Sequence, residues 1–206
     1  MTQTAKYILF SFVSVLIVAL TAIAIVEYVV DDTTMPRPRA MMRIDRIDST
    51  YTHVDILPLG LLVNNSAVAE ESTDSTTGDG SRWLNISYPH YRSTVYCSFV
   101  PVSRGNLAQH LDNRRKRISL NAEGREMRSA VFEDSLGRYT AEVFFAGADV
   151  PTPLQFITTD STSSFIFTGA LYVDGRNNPD SIAPVVDYIT DDVMTMLQNL
   201  KLPLDK

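Results

Sequence analysis

The side chains best able to ligate a metal or act as a nucleophile with its base are His53, His90, His110 and Cys97. Their spacing offers neither chemistry. The histidines are far apart and fall in different predicted elements, with no His-x-x-x-His or Cys-x-x-Cys pair to clasp a metal. Cys97 lies in the alternating run Thr94–Val100 and reads as a small buried hydrophobe. As the only cysteine it excludes an intramolecular disulfide. No Gly-x-Ser-x-Gly elbow, phosphate-cradling glycine loop or dinucleotide fingerprint occurs. A Ser-His-Asp site built from distant residues is recognised by geometry, and no local pattern points to one. Asp191-Asp192 reads as a solvated pair on the polar side of the last helix. The expectation is a non-enzyme with no catalytic residue, no cofactor and no metal.

Two basic clusters stand out in a chain of net charge −6, a balance that argues against a nucleic-acid partner. Arg114-Arg115-Lys116-Arg117 reads as a solvated face near a helix C-terminus, where cations suit the dipole. Arg37, Arg39, Arg43 and Arg46 make a Pro-rich stretch locally basic. It is either a linker whose arginines meet lipid headgroups or acidic side chains, or a docking strip, for which Arg37, Arg39, Arg43 and Asp45 are the candidate residues.

The elements that must position these groups begin with Tyr7–Val26, twenty uncharged residues with apolar character continuing to Val30. Roughly 20 apolar residues cross a bilayer core. Lys6 before the run and Glu27, Asp31 and Asp32 after it put the N-terminus in the cytoplasm and the rest outside. Residues 7–30 are thus expected to engage the membrane as a retained transmembrane anchor. The alternative is a signal peptide cut after Ala24, leaving a soluble periplasmic chain. The length of the run favours the anchor. The expected organisation is an anchor at 1–30, a Pro/Arg-rich linker at 31–46 and an α+β domain at 47–206.

Within that domain the spacing predicts strands at Tyr51–Ile56 and Leu59–Val63, followed by a flexible insertion at 64–81, where periodicity is lost. Strands are predicted again at Trp83–Tyr88 and Tyr91–Val100, then a helix capped by Asn106 and running to about Ser119. A hairpin follows, Met127–Phe132 with Tyr139–Phe145, turning at Asp134-Ser135-Leu136-Gly137. Leu154, Phe156 and Thr158 share one face of the next strand. Phe165, Phe167, Gly169, Leu171 and Val173 share one face of the last. A helix capped by Asp180 or Ser181, with Pro184 in its first turn, carries Ile182, Val185, Val186, Ile189, Val193, Met196, Leu197 and Leu200 as one apolar stripe. The sum is an antiparallel sheet of about 5–7 strands packed with two amphipathic helices, an order similar to the PsbP/Mog1 type of sandwich.

Three stretches in order, Arg37-Pro38-Arg39 to Arg43-Ile44-Asp45, Trp83-Leu84-Asn85-Ile86-Ser87-Tyr88-Pro89, and Pro151 to Leu200, resemble the gliding-motility lipoprotein family GldD of the Bacteroidota. The resemblance covers most of residues 36–200, with a gap near 58–81. It implies a non-catalytic envelope component of the gliding and type IX secretion apparatus, in contact with other envelope proteins of that apparatus. The family also implies a lipidated cysteine just after the hydrophobic run. None precedes Cys97, so the helix itself is expected to tether the domain at the inner membrane, facing the periplasm. An Asp-Ser/Thr pattern at Thr33, Ser49, Ser75, Ser135, Ser161 and Ser181 is similar to the periplasmic O-glycosylation acceptor of these bacteria. Such dipeptides are also ordinary turn and cap formers. A second function class is a periplasmic module for peptidoglycan or another glycan, using Tyr88, Tyr91 and Tyr172 as sugar-facing rings.

Overall fold

The computed structural model describes residues 3–31, 44–45, 50–72, 78–174 and 179–202, divided into two compact units, Met1–Ala40 and Met41–Lys206. The first contains helix α1 (Gln3–Asp31). Its described apolar side chains, among them Phe10, Phe12 and Val18, are exposed. Among the described residues no helix is long and apolar enough to cross a membrane. The expected transmembrane segment therefore draws no support from the described structure.

The second unit is α+β. Strands β1 (Tyr51–Val54) and β2 (Leu61–Asn64) form a two-stranded antiparallel ribbon. Strands β3 (Val68–Glu71), β4 (Arg82–Tyr88), β5 (Ser93–Pro101), β6 (Arg128–Glu133), β7 (Tyr139–Phe145), β8 (Leu154–Asp160) and β9 (Phe165–Val173) form a seven-stranded sheet. Its order is β3-β4-β5-β9-β8-β7-β6, antiparallel throughout. Two meanders, β3–β5 and β6–β9, thus meet at the β5–β9 seam. The chain crosses between them through helix α2 (Leu107–Asn121) and ends in helix α3 (Pro179–Gln198).

Period-two alternation assigns the two faces. Leu84, Ile86, Val95, Phe99, Val143, Leu154, Phe156, Phe167 and Leu171 join the α3 stripe in the main core. Gly169 belongs to this face because a Cβ there would lie 2.3 Å from the Phe156 ring. Tyr139 spans the layers, its hydroxyl donating to the Leu197 carbonyl at 2.8 Å. On the opposite face a smaller cluster of Ile118, Phe144, Ile157 and Ile166 packs with Leu107 and Leu111 of α2.

Three expectations need correction. The insertion at 64–81 is not wholly irregular: Asn64 ends β2 and Val68–Glu71 pairs with β4 in full register. An edge strand needs only one paired side, and Glu71 is clamped by Arg82 at 2.6 Å. Asn106 stands at the N-cap of α2 without capping it; its Oδ1 accepts the Ser103 N–H at 2.9 Å. Helix α3 begins at Pro179, so Pro184 sits inside it and past its first turn.

Candidate functional site

Helix α2 continues to Asn121, which leaves Arg114 and Arg117 in mid-helix and not at a C-terminus. Residues 114, 117, 118 and 121 fall on one helical face, and Ile118 anchors that face by burial among Phe144, Ile157 and Ile166. Arg114, Arg117 and Asn121 are thereby turned toward the sheet, where they line a cleft of about 270 Å³. The sheet supplies Trp83 from β4, Tyr96 and Ser98 from β5, Gln155 from β8, and Thr168 and Tyr172 from β9. These side chains occupy the phase opposite to the main core on each strand. Tyr96 and Tyr172 form an edge-to-face pair with centroids 5.4 Å apart, and they are 51% and 40% exposed.

The cleft's polar groups are ordered by one another. Ser98 and Thr168 hydroxyls lie 2.8 Å apart, and Arg114 reaches Ser98 Oγ at 3.5 Å. Asn121 donates to Gln155 Oε1 at 3.2 Å. Among the described residues no carboxylate lines the cleft. The neighbouring cations on α2 are otherwise engaged: Arg115 pairs with Glu142 at 2.8 Å and Lys116 with Asp112 at 2.7 Å. Burial lowers the pKa of Arg114, and the adjacent Arg117 charge lowers it further. Two guanidiniums held together without an acid make a site prepared for an anion.

A second polar cluster lies on the other face. Asp192 is only 3% exposed, accepting from Tyr51 Oη at 2.7 Å and Asn64 Nδ2 at 3.2 Å, while Asn64 also donates to Tyr188 Oη at 3.1 Å. Burial raises the Asp192 pKa against the pull of these donors. The expected solvated acid is instead the pin that fastens the β1–β2 ribbon to α3. Cys97 is buried in β5, and burial pushes its thiol up, away from reactivity.

The other sequence-derived candidates are scattered. Asp45 is exposed, and its backbone carbonyl accepts from Tyr91 Oη at 2.5 Å, beside the core-packed Ile44. Arg37, Arg39, Arg43, Thr33, Ser49 and Ser75 lie outside the described residues. Ser135 and Ser161 are exposed in the β6–β7 and β8–β9 turns, and Ser181 lies in the first turn of α3. Tyr88 and Tyr91 are core residues at 3% and 9% exposure, so of the three suggested sugar-facing tyrosines only Tyr172 is available. His53, His90 and His110 sit on β1, in a short 3-10 turn and on α2. Among the described residues no group of three His, Cys, Asp or Glu gathers as a metal site.

Compared with known proteins, the chain matches the family model for the gliding motility lipoprotein GldD over residues 31–202. The chain belongs to the GldD family. Membership associates it with gliding motility and with the cell envelope. The matched region contains the whole sheet, α2, α3 and every residue of the cleft. No curated protein matches the chain.

Proposed function

We propose that this chain is a membrane-tethered, non-catalytic component of the gliding motility and type IX secretion apparatus that works through contacts with other envelope proteins. The match to the GldD family over residues 31–202 carries this reading. The tether is α1. The sequence Tyr7–Val26 holds no charge within it. The charge bias about the run favours a periplasmic position for the folded unit. The strip Arg37, Arg39, Arg43 and Asp45 is the proposed partner contact; of these, Asp45 has its backbone carbonyl held by Tyr91 Oη.

Clean deletion of the gene in a gliding host tests the reading. Loss of colony spreading together with loss of cargo secretion is expected, and full-length protein restores both. Normal spreading and secretion in the deletion strain overturn it. Protein recovered from the soluble fraction of the host would remove the tether alone. Ser135 and Ser161 are proposed O-glycan acceptors, since both hydroxyls are exposed in turns. An intact mass without added sugar, on protein from the native host, removes that assignment.

A further inference from the structure

We infer that the cleft between α2 and the sheet binds a carboxylate-bearing saccharide, with the acid group at Arg114 and Arg117 and a ring face against Tyr96, Tyr172 and Trp83. Four observations converge on this ligand. First, the two guanidiniums share the cleft with no acidic residue among its described lining, although folding sets them against each other and partly strips Arg114 of water. Such an arrangement is compensated when a ligand brings the missing negative charge, and guanidinium matches a carboxylate with two parallel hydrogen bonds.

Second, four aromatic residues line the same small volume, Phe156 from the core and Trp83, Tyr96 and Tyr172 from the outer face, the two tyrosines well exposed and braced edge-to-face. An inorganic anion has no use for them, whereas the apolar face of a sugar ring does. Third, the remaining polar lining is hydroxyl and amide, beside the apolar Cys97, Ile118, Gly169 and Ala170. The Ser98–Thr168 and Asn121–Gln155 pairs each keep donors or acceptors beyond the bond they make to one another. Ring hydroxyls complement that mixture. Fourth, the volume of about 270 Å³ falls just below the ~300–1,000 Å³ usual for pockets that enclose a whole ligand, which suits one ring of an oligosaccharide extending outward.

Trp83 is the single tryptophan of the chain and lines the cleft, so its fluorescence reports occupancy. Full-length protein in detergent micelles is titrated with trigalacturonate, neutral galactotriose and sodium acetate. A saturable Trp83 response to trigalacturonate is expected, with galactotriose weaker by roughly tenfold or more and acetate giving no saturation in the same range. Arg117→Gln and Arg114→Gln should each weaken trigalacturonate by about tenfold. Arg117 is exposed, so its variant tests the site even if the Arg114 variant folds poorly. No saturable response to trigalacturonate, or unchanged binding by Arg117→Gln in folded protein, overturns the proposal. Saturation by acetate at the same concentrations also overturns it, by reducing the cleft to a simple anion site. None of these outcomes bears on the motility role, which rests on family membership.

Discussion

The two faces of the seven-stranded sheet are built to different standards. On one, α3 lays eight apolar side chains against the alternating residues of β4, β5, β7, β8 and β9, forming a continuous core. On the other, α2 contributes Ile118, Leu107 and Leu111 to a cluster with only four buried members, and its inner face otherwise carries Arg114, Arg117 and Asn121. A helix whose purpose was stability would not turn two like charges toward the sheet. The first face makes the fold, and the second uses the rigidity so obtained to hold polar and aromatic groups open to a ligand.

The largest effects should follow truncation on the α3 face. Leu197 is fully buried, and Leu197→Ala is expected to cost about 2–5 kcal/mol by removing packed methyl groups and leaving a cavity. Ile118→Ala on the α2 side should fall near the low end, about 2 kcal/mol, because a small cluster collapses more readily. Chemical denaturation of both variants checks the ordering, and equal losses would break the contrast between the faces. Gly169→Ala comes next. The added Cβ meets the Phe156 ring at 2.3 Å, and that ring is 1% exposed with nowhere to retreat. A loss of about 1–3 kcal/mol is expected from overpacking, read as a lowered melting temperature.

Legibility in the sequence follows the same division. Helix α3 and strands β8 and β9 are readable because each buries a full face of apolar residues at a regular period, and nothing distant has to be known. β3 is obscured because Val68-Ala69-Glu70-Glu71 has little apolar signal, and only its partner β4 and the Arg82 clamp hold it extended. Asp192 misleads because its donors, Tyr51 and Asn64, lie 141 and 128 residues away. Without them a burial site for an acid is not expected. The cleft left a partial trace. Tyr96 and Tyr172 stand out of phase with the apolar set on β5 and β9, and Arg114, Arg117 and Asn121 share helical spacing. What the sequence does not display is the β5–β9 seam that brings the two tyrosines together.

Two buried acids sharpen the picture through pH. Burial raises the Asp192 pKa despite its Tyr51 and Asn64 donors. Its favourable contribution is therefore present below the unfolded-state pKa and is lost as pH rises through the folded one. Asp192→Asn, neutral at every pH, should gain on the native protein as pH rises above the unfolded-state Asp value of about 3.9. Asp160 runs the other way. Burial alone would raise its pKa, but hydrogen bonds from Thr162 and Ser164 and from the Ser164 and Phe165 amides lower it overall. Its contribution is present above the unfolded-state pKa and disappears as pH falls through the folded one. Asp160→Asn should cost about 1–2 kcal/mol at neutral pH, and the gap should close on acidification to about pH 2. Denaturation series at several pH values test both, and slopes of the same sign for the two variants would refute the assignment.

The smallest expected change is the most telling about α2. Arg117 is exposed, among the described residues no acid stands beside it in the cleft, and Arg114 reaches Ser98 Oγ at 3.5 Å. Arg117→Gln should therefore shift stability by no more than about 0.5 kcal/mol in either direction. Arg114→Met keeps an unbranched stem to pack while deleting a partly desolvated charge and its repulsion with Arg117. It should be neutral or slightly stabilising, by about 0.5 kcal/mol. Thermal melts at low and moderate salt provide the check, since the gain from removing one of two like charges shrinks as salt screens them. A loss above about 2 kcal/mol for either variant would mean the arginines are part of the scaffold, and the distinction between a face that folds and a face that binds would fail.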